Sequence, residues 1–136
     1  MRILIDTNIL FSAILFPRSR VADTLIYITR NHEMFLTDQN ITELKEVVRR
    51  KCPEHMPAVY ALLSELSFTL IPAISSSDDR MRDRKDQPIL NAAIMEDLDM
   101  ILTGDKDFLS LALERPECLS VAEFQERIEH GTFSRG

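Results

Sequence analysis

Four carboxylates stand where a folded chain could gather them. Asp6 directly follows the apolar run Ile3-Leu4-Ile5, and Asp105 follows Ile101-Leu102-Thr103-Gly104. Asp86 precedes Gln87-Pro88 at the head of an apolar helical pattern, and Glu43 lies early in another. Each has an ordinary reading on its own. Asp is common at helix caps and in turns. Asn40-Ile41-Thr42-Glu43 matches a capping box with Glu43 at the third helical position, which on pattern alone outweighs a ligand role. Converged on one crevice, the four would behave differently. Carboxylates about 4 Å apart repel by roughly 4 kcal/mol per pair in an intermediate dielectric, so such a cluster requires a cation or shared protons. All-oxygen ligation without His or Cys suits Mg²⁺ or Mn²⁺. Water held by such an ion can attack phosphorus while the ion steadies charge on the phosphate oxygens.

An alternating series of elements must position these groups. Five short apolar segments read as strands: Arg2 to Ile5, Met34 to Thr37, Phe68 to Ile71, Met100 to Thr103 and Cys118 to Val121. Helical stripes lie between them: Val21, Leu25 and Ile28; Ile41, Leu44, Val47 and Val48; Val59, Leu62, Leu63 and Leu66; Leu90, Ala93, Ile94 and Leu98. Parallel neighbours need a crossover long enough to hold a helix. The alternation therefore predicts an α/β fold, a three-layer α/β/α sandwich with a mostly parallel five-stranded sheet. Such sheets take ligands beyond the carboxyl ends of their strands, where Asp6 and Asp105 fall. Pro88 is tolerated in the first turn of a helix running from Pro88 to Leu98. Asp86, Leu90 and Ile94 are four apart, so Asp86 continues the buried stripe toward the crevice, unless it simply caps the helix.

The 136 residues are 45 % hydrophobic and fit one domain spanning the whole chain. Charged residues make up 28 %, with three glycines and six prolines, which excludes a largely disordered or collagen-like chain. No stretch fits a secretory signal or a membrane span. Cys52 and Cys118 lie far apart with no Cys/His cluster, so neither a disulfide framework nor a zinc site is expected, and a cytoplasmic setting is the default. The formal charge of -6 argues against passive coating of nucleic acid. It leaves room for an enzyme that offsets its acids with divalent cations. The polar stretch from Ser75 to Asp86 reads as a surface loop, and His130 to Gly136 as a loosely held tail.

Certain segments carry a family pattern by their order and spacing. They are Ile5-Asp6-Thr7-Asn8 before an apolar helix, Thr37-Asp38 with Ile41, Glu43 and Leu44, and Arg82-Asp83-Arg84-Lys85-Asp86-Gln87-Pro88-Ile89-Leu90-Asn91-Ala92-Ala93. Leu102-Thr103-Gly104-Asp105-Lys106-Asp107-Phe108-Leu109 and Leu119-Ser120-Val121-Ala122-Glu123-Phe124 complete it. Over nearly its whole length the chain resembles the PIN-domain nucleases, especially the VapC-type toxin-like group. The resemblance implies a parallel sheet, carboxylate-bound Mg²⁺ or Mn²⁺, and hydrolysis of single-stranded or structured RNA to 5′-phosphate and 3′-hydroxyl ends. It also implies that Asp6, Glu43, Asp86 and Asp105 form the catalytic and metal-binding quartet. Asn8 would orient Asp6 by a hydrogen bond, Thr103 would stand beside the metal-bound water, and Asp107 is a secondary fifth acid. Asp86 is preferred to Asp83 because Pro88, Ala92 and Ala93 follow it at the family spacing. Arg84 stands where proline is frequent in the group, and Asn91 where a small apolar residue is common.

Substrate binding falls to Arg82, Arg84 and Lys85, with Arg80 beside them. Arg49, Arg50 and Lys51 are the alternative basic group for the substrate, but solvated charge at a helix C-terminus is the better reading of them. Many members of the group are toxins countered by an antitoxin that plugs the site, so an antitoxin is the implied protein partner. An exposed apolar face including Ile9 to Phe16 would support a homodimer, although core packing is the ordinary reading of that segment. Two other functions compete. An aspartyl-nucleophile phosphotransferase also places Asp after its first strand, but such sites read Asp-x-Asp, whereas this chain has Asp6-Thr7-Asn8. A PIN-fold binding module without catalysis is the other, although all four acids are retained.

Overall fold

Short apolar strands separated by helical stripes fold into one sheet whose three central strands are buried on both faces, while Leu70 on an edge strand is exposed. A computed structural model describes residues 1–75 and 85–131. In chain order the elements are β1 (Arg2–Ile5), α1 (Thr7–Leu15), α2 (Arg20–Asn31), β2 (Glu33–Thr37), α3 (Asp38–Lys51) and a 3₁₀ turn (Pro53–His55). They continue with α4 (Met56–Glu65), β3 (Phe68–Ile71), α5 (Gln87–Met95), β4 (Met100–Leu102), α6 (Lys106–Leu109), β5 (Glu117–Leu119) and α7 (Val121–Glu129). The sheet order is β3-β2-β1-β4-β5, and every pairing is parallel. The chain works outward from β1 to β2 and β3, then returns to the other side of β1 with β4. A crevice opens at that reversal, beyond the carboxyl ends of β1 and β4.

Alternate strand residues feed two cores. Ile3, Ile5, Met34, Leu36, Met100 and Leu102 pack with buried residues of α1, α2, α3, α4 and α7. Leu4, Phe35 and Ile101 face the other way, against Ile89, Leu90 and Ala93 of α5 and Phe108 of α6. This is the α/β/α sandwich. Fully burying one such aliphatic side chain stabilises by about 1.5–3 kcal/mol.

Several boundaries differ from the sequence-based expectation. β5 is Glu117–Leu119 and not Cys118 to Val121, because Ser120 caps α7: its hydroxyl accepts from Glu123 N at 3.2 Å and the Glu123 carboxylate accepts from Ser120 N at 3.1 Å. β2 starts one residue early at Glu33, and β4 stops at Leu102. α5 ends at Met95, short of Leu98, where Asp97 takes a φ of 54° and breaks the helix. Ile94, expected in the buried stripe, is 43 % exposed. Ile9, Leu10, Ala13 and Ile14 are buried in the core, so the segment from Ile9 to Phe16 is not an exposed apolar face; Phe16 alone stands out at 61 % exposed. His130 closes α7 through its N–H to the Glu126 carbonyl. The tail beyond Gly131, and the loop residues Arg80, Arg82, Asp83 and Arg84, lie outside the described residues. Among the described residues no helix is long and apolar enough to cross a membrane.

Candidate functional site

The end of β1 and the end of β4 build the floor together. Asp6 N donates to the Leu102 carbonyl at 3.0 Å, continuing the pairing one residue past the strand. Asp6 then caps α1, its Oδ1 accepting from Thr7 N at 2.9 Å. Its Oδ2 accepts from the Thr103 hydroxyl at 2.8 Å, and that same hydroxyl accepts from Asp105 N at 3.0 Å. One buried threonine therefore ties the two strand-end acids together. Asp105 caps α6, its Oδ1 accepting from Asp107 N at 2.8 Å, and the tight turn draws Asp107 in beside it.

Glu43 arrives from the other side, and its local structure differs from the expected one. The capping box of α3 is Thr37 with Asn40: Thr37 Oγ1 accepts from Asn40 N at 3.0 Å, and Asn40 Oδ1 accepts from Thr37 N at 3.1 Å. The helix therefore begins at Asp38, and Glu43 sits in its second turn, released from capping. Its Oε2 accepts from Thr7 Oγ1 at 3.3 Å and its Oε1 from Gln39 Nε2 at 2.7 Å. Asn40 Nδ2 donates to Thr7 Oγ1 at 3.0 Å, so Thr7 is held by the cap of α3 while it holds Glu43. Gln39 Nε2 also donates to the Lys85 carbonyl, pinning the approach to α5 against α3. Asp86 stands at the capping position of α5, but its side chain makes no cap hydrogen bond. It is only 9 % exposed.

Asp6, Glu43, Asp86 and Asp105 all line one cleft of about 400 Å³. Asp86, Asp105 and Asp107 each bring a carboxylate oxygen within 4.8 Å of the other two. The secondary acid thus joins two of the expected four. Burial pushes the Asp6 carboxyl up to about 6; the hydrogen bonds from Thr103 and Thr7 oppose this, and the charges of Asp105 and Glu43 add to it. The donor set is all carboxylate, with hard oxygens only, and Asp6 is costly to ionise without a counter-charge. These features fit a Mg²⁺- or Mn²⁺-sized cation.

Two expectations need correction. Asn8 does not hydrogen-bond Asp6; it is exposed, and its Oδ1 accepts from Gly104 N at 3.4 Å. Orientation of Asp6 comes from Thr103 and the Thr7 backbone. Arg50 and Lys51, expected to be plain surface charge, line the cleft together with Lys85. Arg82 and Arg84 cannot be compared, being outside the described residues. Gln39 and Thr7 were not singled out at all. A seven-residue step from Glu43 to Arg50, which returns to one helix face, is the signal in the sequence that points to Arg50.

A family model described as PIN domain matches residues 2–107. The chain belongs to the PIN-domain family. The matched span includes every acid of this PIN cleft. In fold, the PIN chain is similar to a chain in the crystal structure of VapBC2 from Rickettsia felis bound to a DNA fragment from their promoter. The TM-score is 0.65 at 16 % identity, covering 88 % of this chain and 98 % of that one. No curated protein matches this sequence.

Proposed function

We propose that this PIN domain is a divalent-metal-dependent endoribonuclease, with Mg²⁺ or Mn²⁺ held by Asp86, Asp105 and Asp107 together with Asp6. The observation that carries the reading is the convergence of carboxylates from β1, α3, α5 and β4 on one cleft, where they are unfavourable without a cation. A bound ion would neutralise these carboxylates and the charge growing on the phosphate oxygens. Thr103 keeps one oxygen of Asp6 fixed and Thr7 N keeps the other, so the floor does not reorganise when substrate arrives. Glu43, held by Thr7 and Gln39, orders the attacking water by accepting a hydrogen bond from it. The water oxygen bonds to phosphorus in line and gives up a proton to solvent, the bond to O3′ breaks, and O3′ takes a proton from solvent in exchange, leaving a 5′-phosphate and a 3′-hydroxyl. Positioning supplies much of the rate in this account.

The same reading extends to a toxin held by an antitoxin partner, which the VapBC2 likeness supports through its fold. The test is incubation of the full chain with end-labelled single-stranded RNA and Mn²⁺. We expect fragments with 5′-phosphates from the wild type and a loss of about a hundredfold or more in rate for Asp105→Asn. Metal-independent cleavage, or equal rates from both proteins, would overturn the reading.

A further inference from the structure

The cleft has a second wall along α3, where the acids Glu43 and Glu46 give way to cations at the C-terminal end of the helix. α3 carries Glu43 over the acids and Arg50 seven residues later, on the same face and roughly 10 Å further along the axis. Arg50 and Lys51 both line the cleft, as do Val47 and Phe11. Arg49 belongs to the same basic run at the end of α3 and is not among the lining residues. A helix C-terminus favours all three cations equally, so its dipole does not explain why two of them are turned into the acidic cleft. Among the described residues neither Arg50 nor Lys51 forms an ion pair, although the chain carries an excess of acids.

We propose that Arg50 and Lys51 form a phosphate-binding wall for single-stranded RNA, gripping a backbone phosphate neighbouring the one to be cut. This rests on the nuclease reading and adds where the strand runs: from the carboxylates along α3 toward its C-terminal end. An acidic floor repels a polyanion, and two cations about two helical turns beyond Glu43 offset that repulsion; Glu46, about one turn before Arg50, lines the cleft between them without an ion pair to either. Phe11, half-buried in the same cleft, offers a ring against which the intervening base stacks. The grip is on phosphate and so is indifferent to base identity.

The test is equilibrium binding of a fluorescent 12-nucleotide single-stranded RNA by anisotropy, with Ca²⁺ as the divalent ion, the RNA checked for integrity, and salt varied. Wild type, Arg50→Ala, Lys51→Ala, the double variant and Arg49→Ala are compared, each shown to be folded by its thermal transition. Each single-strand phosphate contact contributes about 0.7 to the slope of log Kd against log salt. The double variant is expected to bind more weakly for every RNA sequence tried, with a slope smaller by about 1.4, each cleft single by about 0.7, and Arg49→Ala unchanged. Wild-type affinity and slope in the double variant would overturn the wall and leave the nuclease reading standing. An equal loss from Arg49→Ala would also overturn it, as a general charge effect. Absence of RNA binding by the wild type would overturn both.

Discussion

Thr103 and Asp6 make the site at the scale of single residues. Thr103 donates to one carboxylate and accepts from the backbone of the next, so Thr103→Val keeps the volume while stranding Asp6 Oδ2 and Asp105 N. We predict a loss of about 1–3 kcal/mol in denaturant unfolding and weaker Mn²⁺ binding, because the proton on Asp6 becomes harder to displace. Wild-type stability in that variant would refute the linkage. Asp6 also sets a pH dependence. Its carboxyl lies at about 6 in the fold against 3.8 unfolded, chiefly through burial, so the folded state binds the proton more tightly. That contribution is whole below 3.8 and is lost as pH rises through about 6. In metal-free protein it amounts to on the order of 3 kcal/mol. Urea unfolding of wild type and Asp6→Asn across this window should show the decline only in the wild type.

At the scale of elements, the strands were legible as short apolar runs, the central three being buried on both faces, and four of the five were placed within a residue at each end. The ends of helices were harder, since several polar residues compete for each cap. Thr37-Asp38-Gln39-Asn40 closes its own capping box, and the side-chain amide of Asn40 does what Glu43 was expected to do. Val121 reads as strand by its branching, yet Ser120 and Glu123 start a helix there. The shift at α3 matters for function because it frees Glu43 for the cleft. Gln39 joins α3 to the start of α5 by bonding both Glu43 and the Lys85 carbonyl. Gln39→Leu keeps helix propensity and is predicted to lower kcat roughly tenfold with little change in KM or in melting temperature. A change confined to KM would assign Gln39 to substrate binding instead.

For the whole molecule, the fold's contribution is the reversal of strand order between β1 and β4. Acids distant in sequence meet there because both strands end in the same direction at the same level, as Ile5 beside Leu102 shows. This much followed from the alternation of elements and from Asp6 and Asp105 standing at strand ends. The close approach of Asp107 to Asp86 and Asp105 did not, because it depends on the one-turn geometry of α6, and neither did the placing of Arg50 and Lys51 in the cleft, which depends on how α3 packs against α1. A site that gathers this much negative charge couples cation binding to stability. Saturating the protein at about a hundred times Kd adds about 2.7 kcal/mol. The account predicts that Mn²⁺ raises the melting temperature of the wild type and leaves that of Asp105→Asn nearly unmoved. Calorimetric titration of metal-free protein with Mn²⁺, alongside Asp6→Asn and Asp105→Asn, tests the central claim most directly. Saturable binding by the wild type that either substitution abolishes is the predicted result. No binding by the wild type, or equal binding by all three, would contradict it.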